Sequence, residues 1–263
     1  MTCAILIVDG YARRGDYDVR EAIEYPWIRL CLEQLARYDA GYPFNVYVWD
    51  NARLSEHTQI LREHRVAVRR DRPGLTAHLK ARVRRRAVPV SSHSAALDQL
   101  ISEVSGEEYI VTLDNDAFPI RDGWLADLIG LLDDGATLAG VYRDEMQEEI
   151  APFIHVSCLA ARRSDLQRLG SSYQGRDVGY AWSQTVLSGG GRIAPLRRSN
   201  VVNHHFLMGG IYGDLVYHQG AGSRPAQFWR PSDAAGDEER IRQDLRNRAF
   251  ADLDGLLSEL RGA

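Results

Sequence analysis

Ala4-Ile-Leu-Ile-Val8 is an unbroken apolar run of strand length that stops at Asp9-Gly10, the pattern of a strand buried on both faces with a turn behind it. From Tyr25 to Tyr38 the apolar positions change period: Ile28, Leu32, Leu35 and Ala36 follow the spacing of a helix laid on a sheet. Phe44-Asn-Val-Tyr-Val-Trp49 reads as a second strand closed by Asp50-Asn51, Leu54 to His64 as a helix, and Val66-Ala-Val68 as a short third strand. Ala95 to Val104 is helical again, with Ala96, Leu97, Leu100 and Ile101 inward, and it leads into a fourth strand, Tyr109-Ile-Val-Thr-Leu113. Strands alternating with helices predict an α/β fold, a Rossmann-like, mostly parallel sheet flanked by crossover helices.

The remainder is more mixed. It reads as a helix at Trp124 to Leu132, strands at Thr137 to Tyr142 and Val156 to Ala161, a helix at Val178 to Ser188 closed by three glycines, and a strand at Arg192 to Leu196. From Asp237 to Leu260 the apolar positions Ile241, Leu245, Phe250, Leu253, Leu256, Leu257 and Leu260 predict an amphipathic helical tail, docked on the domain or pairing two chains as a homodimer.

Parallel sheets bind ligands beyond the carboxyl ends of their strands, and Asp9, Asp50 and the pair Asp114/Asp116 all fall there. In Tyr109-Ile-Val-Thr-Leu-Asp-Asn-Asp-Ala-Phe-Pro119 a buried strand delivers two carboxylates, at i and i+2, into a turn. Carboxylate oxygens suit hard cations such as Mn²⁺ or Mg²⁺, although an Asp-x-Asp also serves as a helix cap or turn filler. Leu215-Val-Tyr-His-Gln-Gly-Ala-Gly-Ser-Arg224 sets His218 after an apolar strand and before a glycine-rich turn. A neutral imidazole is a common metal ligand, and the glycines let backbone N–H groups approach phosphate; a core histidine bonded to a carbonyl is the other reading. His204 and His205 compete for the ligand role.

The segment from Ser94 through Ser105-Gly-Glu-Glu-Tyr109 to Asp114-Asn-Asp-Ala-Phe-Pro119, followed by Gly123-Trp124-Leu125, resembles the central segment of inverting family 2 glycosyltransferases of the GT-A fold. The likeness extends as a pattern from residue 4 to about residue 224. It implies a nucleotide-sugar-binding half at 1–120, an acceptor-binding half at 121–232, and the helical tail at 233–263. It implies that Asp116 and His218 hold the metal, with Asp114 on the metal or the ribose. It sets Asp9, Asp50, Asn115 and His93 (or Ser92) around the nucleotide, Asp50 at the position that accepts from the base, with strand-end turn residues as the other reading of Asp9 and Asp50. In Gly175-Arg-Asp-Val-Gly179 it makes Asp177 the general base, with Arg176 where the commonest pattern has a second acid and helix capping as the alternative. The implied donor is a nucleotide-diphosphate sugar, a UDP-sugar foremost, and the acceptor a small molecule or glycan.

Composition narrows the alternatives. A net charge of −4 gives no reason to expect nucleic acid. Three widely spaced cysteines form neither a disulfide framework nor a zinc pattern, and no apolar stretch reaches membrane-span length, so a cytoplasmic protein is expected. Lys80 is the only lysine, which removes a phosphohydrolase of the haloacid dehalogenase type: that chemistry needs a downstream lysine, and a Thr or Val where Phe118 stands. A sugar nucleotidyltransferase would begin with a Gly-rich basic loop that Asp9-Gly10-Tyr11 lacks. A GT-A-like module without catalysis, binding nucleotide or acting as a scaffold, stays open. The acidic run Asp144, Glu145, Glu148 and Glu149 could face an acceptor but reads better as a solvated loop, and so does the arginine-rich stretch from Arg62 to Arg86.

Overall fold

The computed structural model describes residues 2–10, 19–70, 92–145, 150–174, 176–220 and 235–263. Their strands are β1 (Cys3–Asp9), β2 (Phe44–Asp50), β3 (Ala67–Arg69), β4 (Tyr109–Asp114), β5 (Ala117–Pro119), β6 (Leu138–Arg143), β7 (Phe153–Arg162), β8 (Ile193–Leu196), β9 (Met208–Tyr212) and β10 (Val216–Gly220). Their helices are α1 (Val19–Glu24), α2 (Trp27–Arg37), α3 (Ser55–Glu63), α4 (His93–Glu103), α5 (Trp124–Asp133), α6 (Arg163–Leu169), α7 (Tyr180–Ser188), α8 (Ala235–Ala251) and α9 (Leu253–Arg261).

Seven strands form one sheet in the order β3-β2-β1-β4-β7-β6-β8, parallel except for β7, which runs against both its neighbours. The continuous apolar run of β1 follows from its central place, because both faces of the sheet are covered. Cys3, Ile5 and Ile7 pack with α2, α5 and the tail helices, whereas Ala4, Leu6 and Val8 pack with α4 and Trp182 of α7. Reversal of β7 matters for the site. Its first residues arrive at the rim where the parallel strands end, so His155 reaches the same edge as Asp114.

The apolar strand expected at His218 is the middle of a second, antiparallel sheet, β5-β10-β9, whose outer strands are too short or too rich in glycine to show in the pattern. In it His218 lies inside β10, beside Ala117 and opposite Gly210, rather than after the strand. The tail also departs from one continuous helix. It breaks at Asp252, whose side chain accepts from the Gly255 N–H at 2.9 Å and caps α9. Leu245, Leu253, Leu256, Leu257 and Leu260 enter the domain's own core, and Phe250 meets Tyr25 and Trp27 edge-on. With its apolar face buried this way, nothing supports homodimerisation through the tail. Among the described residues no helix is long and apolar enough to cross a membrane.

Candidate metal centre and its surroundings

β4 ends at Asp114, a turn carries the chain through Asn115 and Asp116 into β5, and β10 pairs along β5. That pairing brings His218 Nε2 to 3.5 Å from Asp116 Oδ1 and 3.6 Å from Asp114 Oδ2. One ligand atom from each of the three lies within 4.8 Å of the others, and this is the one such group of His, Cys, Asp and Glu among the described residues. Asp116 and His218 are buried, and the Gln219 N–H donates to the Asp116 carbonyl at 3.1 Å, tying β10 to the turn. Asp116 Oδ2 and His218 Nδ1 are buried with no hydrogen-bond partner. Buried polar atoms are seldom left so. Two carboxylates and an imidazole, with such an oxygen among them, fit a hard divalent cation.

The other expected residues distribute around this group. His93, first residue of α4, has Nε2 3.6 Å from Asp114 Oδ1. Asp9 and Asp50 are register partners at adjacent strand ends, but their carboxylates are fully buried and turned into protein. Asp9 accepts from Asn115 Nδ2 at 2.9 Å and lies 2.7 Å from His57 Nδ1. Asp50 accepts from the Arg53 N–H at 2.7 Å and from Arg70 Nε at 2.8 Å. His204 and His205 are not drawn in: they meet Glu259 and Glu238 near the tail helices. Arg69 pairs with Glu103, while residues 71–86 of the arginine-rich stretch, and Ala221-Gly222 of the glycine turn, lie outside the described residues. A cavity of about 1060 Å³ between α3 and α4 is lined by Trp49, Arg70 and Gln99 among others, and by none of the metal-centre residues.

Asp177 lies two residues before the cap of α7, which is Gly179, so it does not N-cap that helix. Its Oδ1 accepts from the Val178 N–H at 2.9 Å, and its Oδ2 faces His155 Nε2 at 3.7 Å. His155 escaped sequence reading because a single histidine inside an apolar strand carries no motif. The Ser157 N–H donates to His155 Nδ1 at 3.0 Å, which leaves the ring proton on Nε2, toward Asp177. Burial pulls its pKa down to about 4 despite the neighbouring Asp177 and Asp114 carboxylates, so the ring is neutral at pH 7. It stacks on His218 with centroids 6.0 Å apart and thus joins the metal group to Asp177. The acidic run is not a solvated loop throughout. Asp144 pairs with Arg197 at the surface, but the Glu145 side chain is largely enclosed beside Arg143, and Glu148 and Glu149 lie outside the described residues.

The three cysteines are free and buried. Burial pushes the Cys3 and Cys158 thiols up to about 12, and Cys31 is raised by burial and by the charge of Asp116 behind it. None offers a thiolate to the site.

Among solved structures, the chain is similar to a nucleotidyl transferase from Methanothermobacter thermautotroptrophicus, at 18% identity over 75% of this chain and 87% of that one, with a TM-score of 0.48. It is also similar to glucosyl-3-phosphoglycerate synthase from Mycobacterium tuberculosis in complex with Mn²⁺, uridine diphosphate and phosphoglyceric acid, at 14% identity over 74% of this chain and 68% of that one, with a TM-score of 0.49. Likeness at this level carries no argument about chemistry. No curated protein sequence matches the chain. The model of glycosyl transferase family 2 matches residues 22–193. That match spans well over half of the sequence and covers the Asp-x-Asp turn, His155 and Asp177: the protein belongs to glycosyl transferase family 2.

Proposed function

We propose that this transferase moves a sugar from a nucleotide-diphosphate donor, a UDP-sugar foremost, to an acceptor hydroxyl, with a divalent ion and with inversion at the anomeric carbon. The observation that carries the reading is the buried, unpartnered Asp116 Oδ2 within the Asp114–Asp116–His218 group. Those three residues would hold Mn²⁺ or Mg²⁺, which supplies charge to offset the departing diphosphate.

The nucleotide lies over the ends of β1, β2 and β4, with His93 beside Asp114. Asp9 and Asp50 serve that rim from within: Asp9 fixes Asn115 in the turn, and Asp50 fixes Arg70 and the Arg53 backbone. On the other side Asp177, about half exposed, meets the acceptor. Its carboxylate takes the hydroxyl proton as the oxygen attacks the anomeric carbon, and the bond to the diphosphate breaks on the opposite face. Neutral His155 keeps Asp177 oriented and adds no positive charge that would weaken it as a base. Three free thiols fit a cytoplasmic enzyme.

A thermal-shift panel of nucleoside diphosphates with and without Mn²⁺ tests this. A stabilisation by UDP that appears only with metal is the expected result, together with metal-stimulated breakdown of UDP-glucose. A nucleotide held equally well without metal, and never turned over, would instead identify a binding module.

A further inference from the structure

Glu145 follows the end of β6 in a stretch whose charge density predicts solvation, yet its side chain is only 9% exposed. Its Oε1 lies 3.2 Å from Arg143 Nε and accepts from the Tyr212 hydroxyl at 3.3 Å. Its Oε2 is equally buried and has no hydrogen-bond partner. The buried carboxylates of Asp9 and Asp50, by contrast, use both oxygens. A buried oxygen without a donor costs stability and calls for one from outside the chain.

Tyr212 ties this carboxylate to the metal centre. Its ring folds back along β9 over Gly210, the residue opposite His218 in β10. A Cβ on Gly210 would stand 2.5 Å from the ring and 3.0 Å from the hydroxyl, so the absence of a side chain there is what admits the tyrosine. Its ring centroid is 6.5 Å from that of His218. On the opposite side, Arg143 is the register partner of Phe153 in β7, two residues before His155, which faces Asp177. Glu145 therefore adjoins a neighbour of His218 through Tyr212 and, through Arg143, the start of the strand that carries His155.

We propose that Glu145 Oε2 accepts a hydrogen bond from a sugar hydroxyl, forming a polyol-recognising subsite between the metal group and Asp177. The inference rests on the transferase reading above. An ionised carboxylate only accepts, so its ligand must donate; hydroxyls do, whereas a phosphate or carboxylate would be repelled. The hydroxyl belongs either to the transferred sugar or to a sugar acceptor.

The test compares UDP and UDP-glucose binding by calorimetry in Mn²⁺, and UDP-glucose breakdown with and without free glucose, in wild type, E145Q and E145D. E145D keeps a charge for Arg143 while withdrawing Oε2, so it remains informative should E145Q not fold. D144N, altered at the surface pair with Arg197, is the control and should leave all readouts unchanged. UDP affinity stays constant in every variant. If the subsite holds the transferred sugar, UDP-glucose affinity falls by about 10- to 100-fold, the worth of a hydrogen bond to a charged group. If it holds an acceptor, both affinities persist and the effect of glucose on turnover disappears. Folded variants with unaltered UDP-glucose binding and unaltered glucose response overturn the proposal. Failure of UDP to bind the wild type in Mn²⁺ overturns the transferase reading, and the subsite with it.

Discussion

His57 Nδ1 lies 2.7 Å from Asp9 Oδ2, and neither side chain reaches solvent. The other ring nitrogen is 3.2 Å from the Ala22 carbonyl, which can only accept. An acceptor at each ring nitrogen favours the protonated ring. Burial acts to lower its pKa, but the hydrogen bond and charge of Asp9, with help from Ala22 and Asp50, outweigh it and the net direction is up.

The sign of the consequence is fixed by linkage. A histidine raised above its unfolded pKa contributes stability that is complete below about pH 6.5 and is lost as pH rises through the folded value. Urea midpoints of wild type and H57Q should thus lie furthest apart below about pH 6.5 and converge as pH rises through the folded value. A gap that widens with pH would mean that the ring is neutral in the fold.

Losing a metal ligand should separate metal binding from nucleotide-independent stability. Supporting groups around a metal site are worth about 10- to 100-fold in affinity, so D116N and H218A should each weaken Mn²⁺ by more than about 100-fold. Asp116 Oδ2 has no internal partner in the folded chain, and the metal-free D116N protein should therefore melt at or above the wild-type temperature, as like charges at the turn are relieved. Calorimetry with Mn²⁺ and a melt in chelator read the two effects independently.

The strands of the first half, and the pair at the tip of β4, were legible because burial on both faces leaves an unbroken apolar run and the acidic residues stop it. Beyond the second sheet, three features that bear on the site or the tail were not. His155 depends on β7 running backwards, a topological fact that the local pattern of Val156 to Ala161 does not encode. Enclosure of the Glu145 side chain depends on Tyr212, 67 residues away and admitted only by Gly210. The tail reads as one helix by periodicity, and only the capping of Gly255 by Asp252 divides it. Each miss is a long-range or side-chain-to-backbone relationship overriding a local signal.

Tail docking rests on a charge cluster as well as on leucines. Glu21 of α1 receives Arg242 Nη1 at 2.5 Å and Arg246 Nη1 at 2.6 Å, with Arg246 also over the Tyr25 ring. Both guanidinium groups are largely buried. Removing one partner of a buried pair costs about 3–5 kcal/mol; because Glu21 is itself partly exposed, E21A should lose about 2–3 kcal/mol. The same residue precedes the Ala22 carbonyl that holds His57, so E21A should also reduce the pH dependence described for H57Q. A loss below about 0.5 kcal/mol, the range of ordinary surface changes, would show that the leucines alone secure the tail.

Asp177 is the residue on which turnover should depend most without any change in binding. Its Oδ1 is held by the Val178 N–H and its Oδ2 is turned to His155, so asparagine fits the same space with one oxygen retained for Val178. D177N should therefore leave the melting temperature and the metal-dependent affinity for UDP close to wild type while lowering the rate of sugar transfer by about 100- to 10,000-fold, the usual contribution of a general base. H155Q should fall between the two, because it retains a donor toward Asp177 but loses the acceptor that receives the Ser157 N–H. The informative comparison is the ratio of rate to affinity. If D177N loses UDP binding in proportion to turnover, Asp177 belongs to the donor side and the base must be sought elsewhere on the acceptor rim.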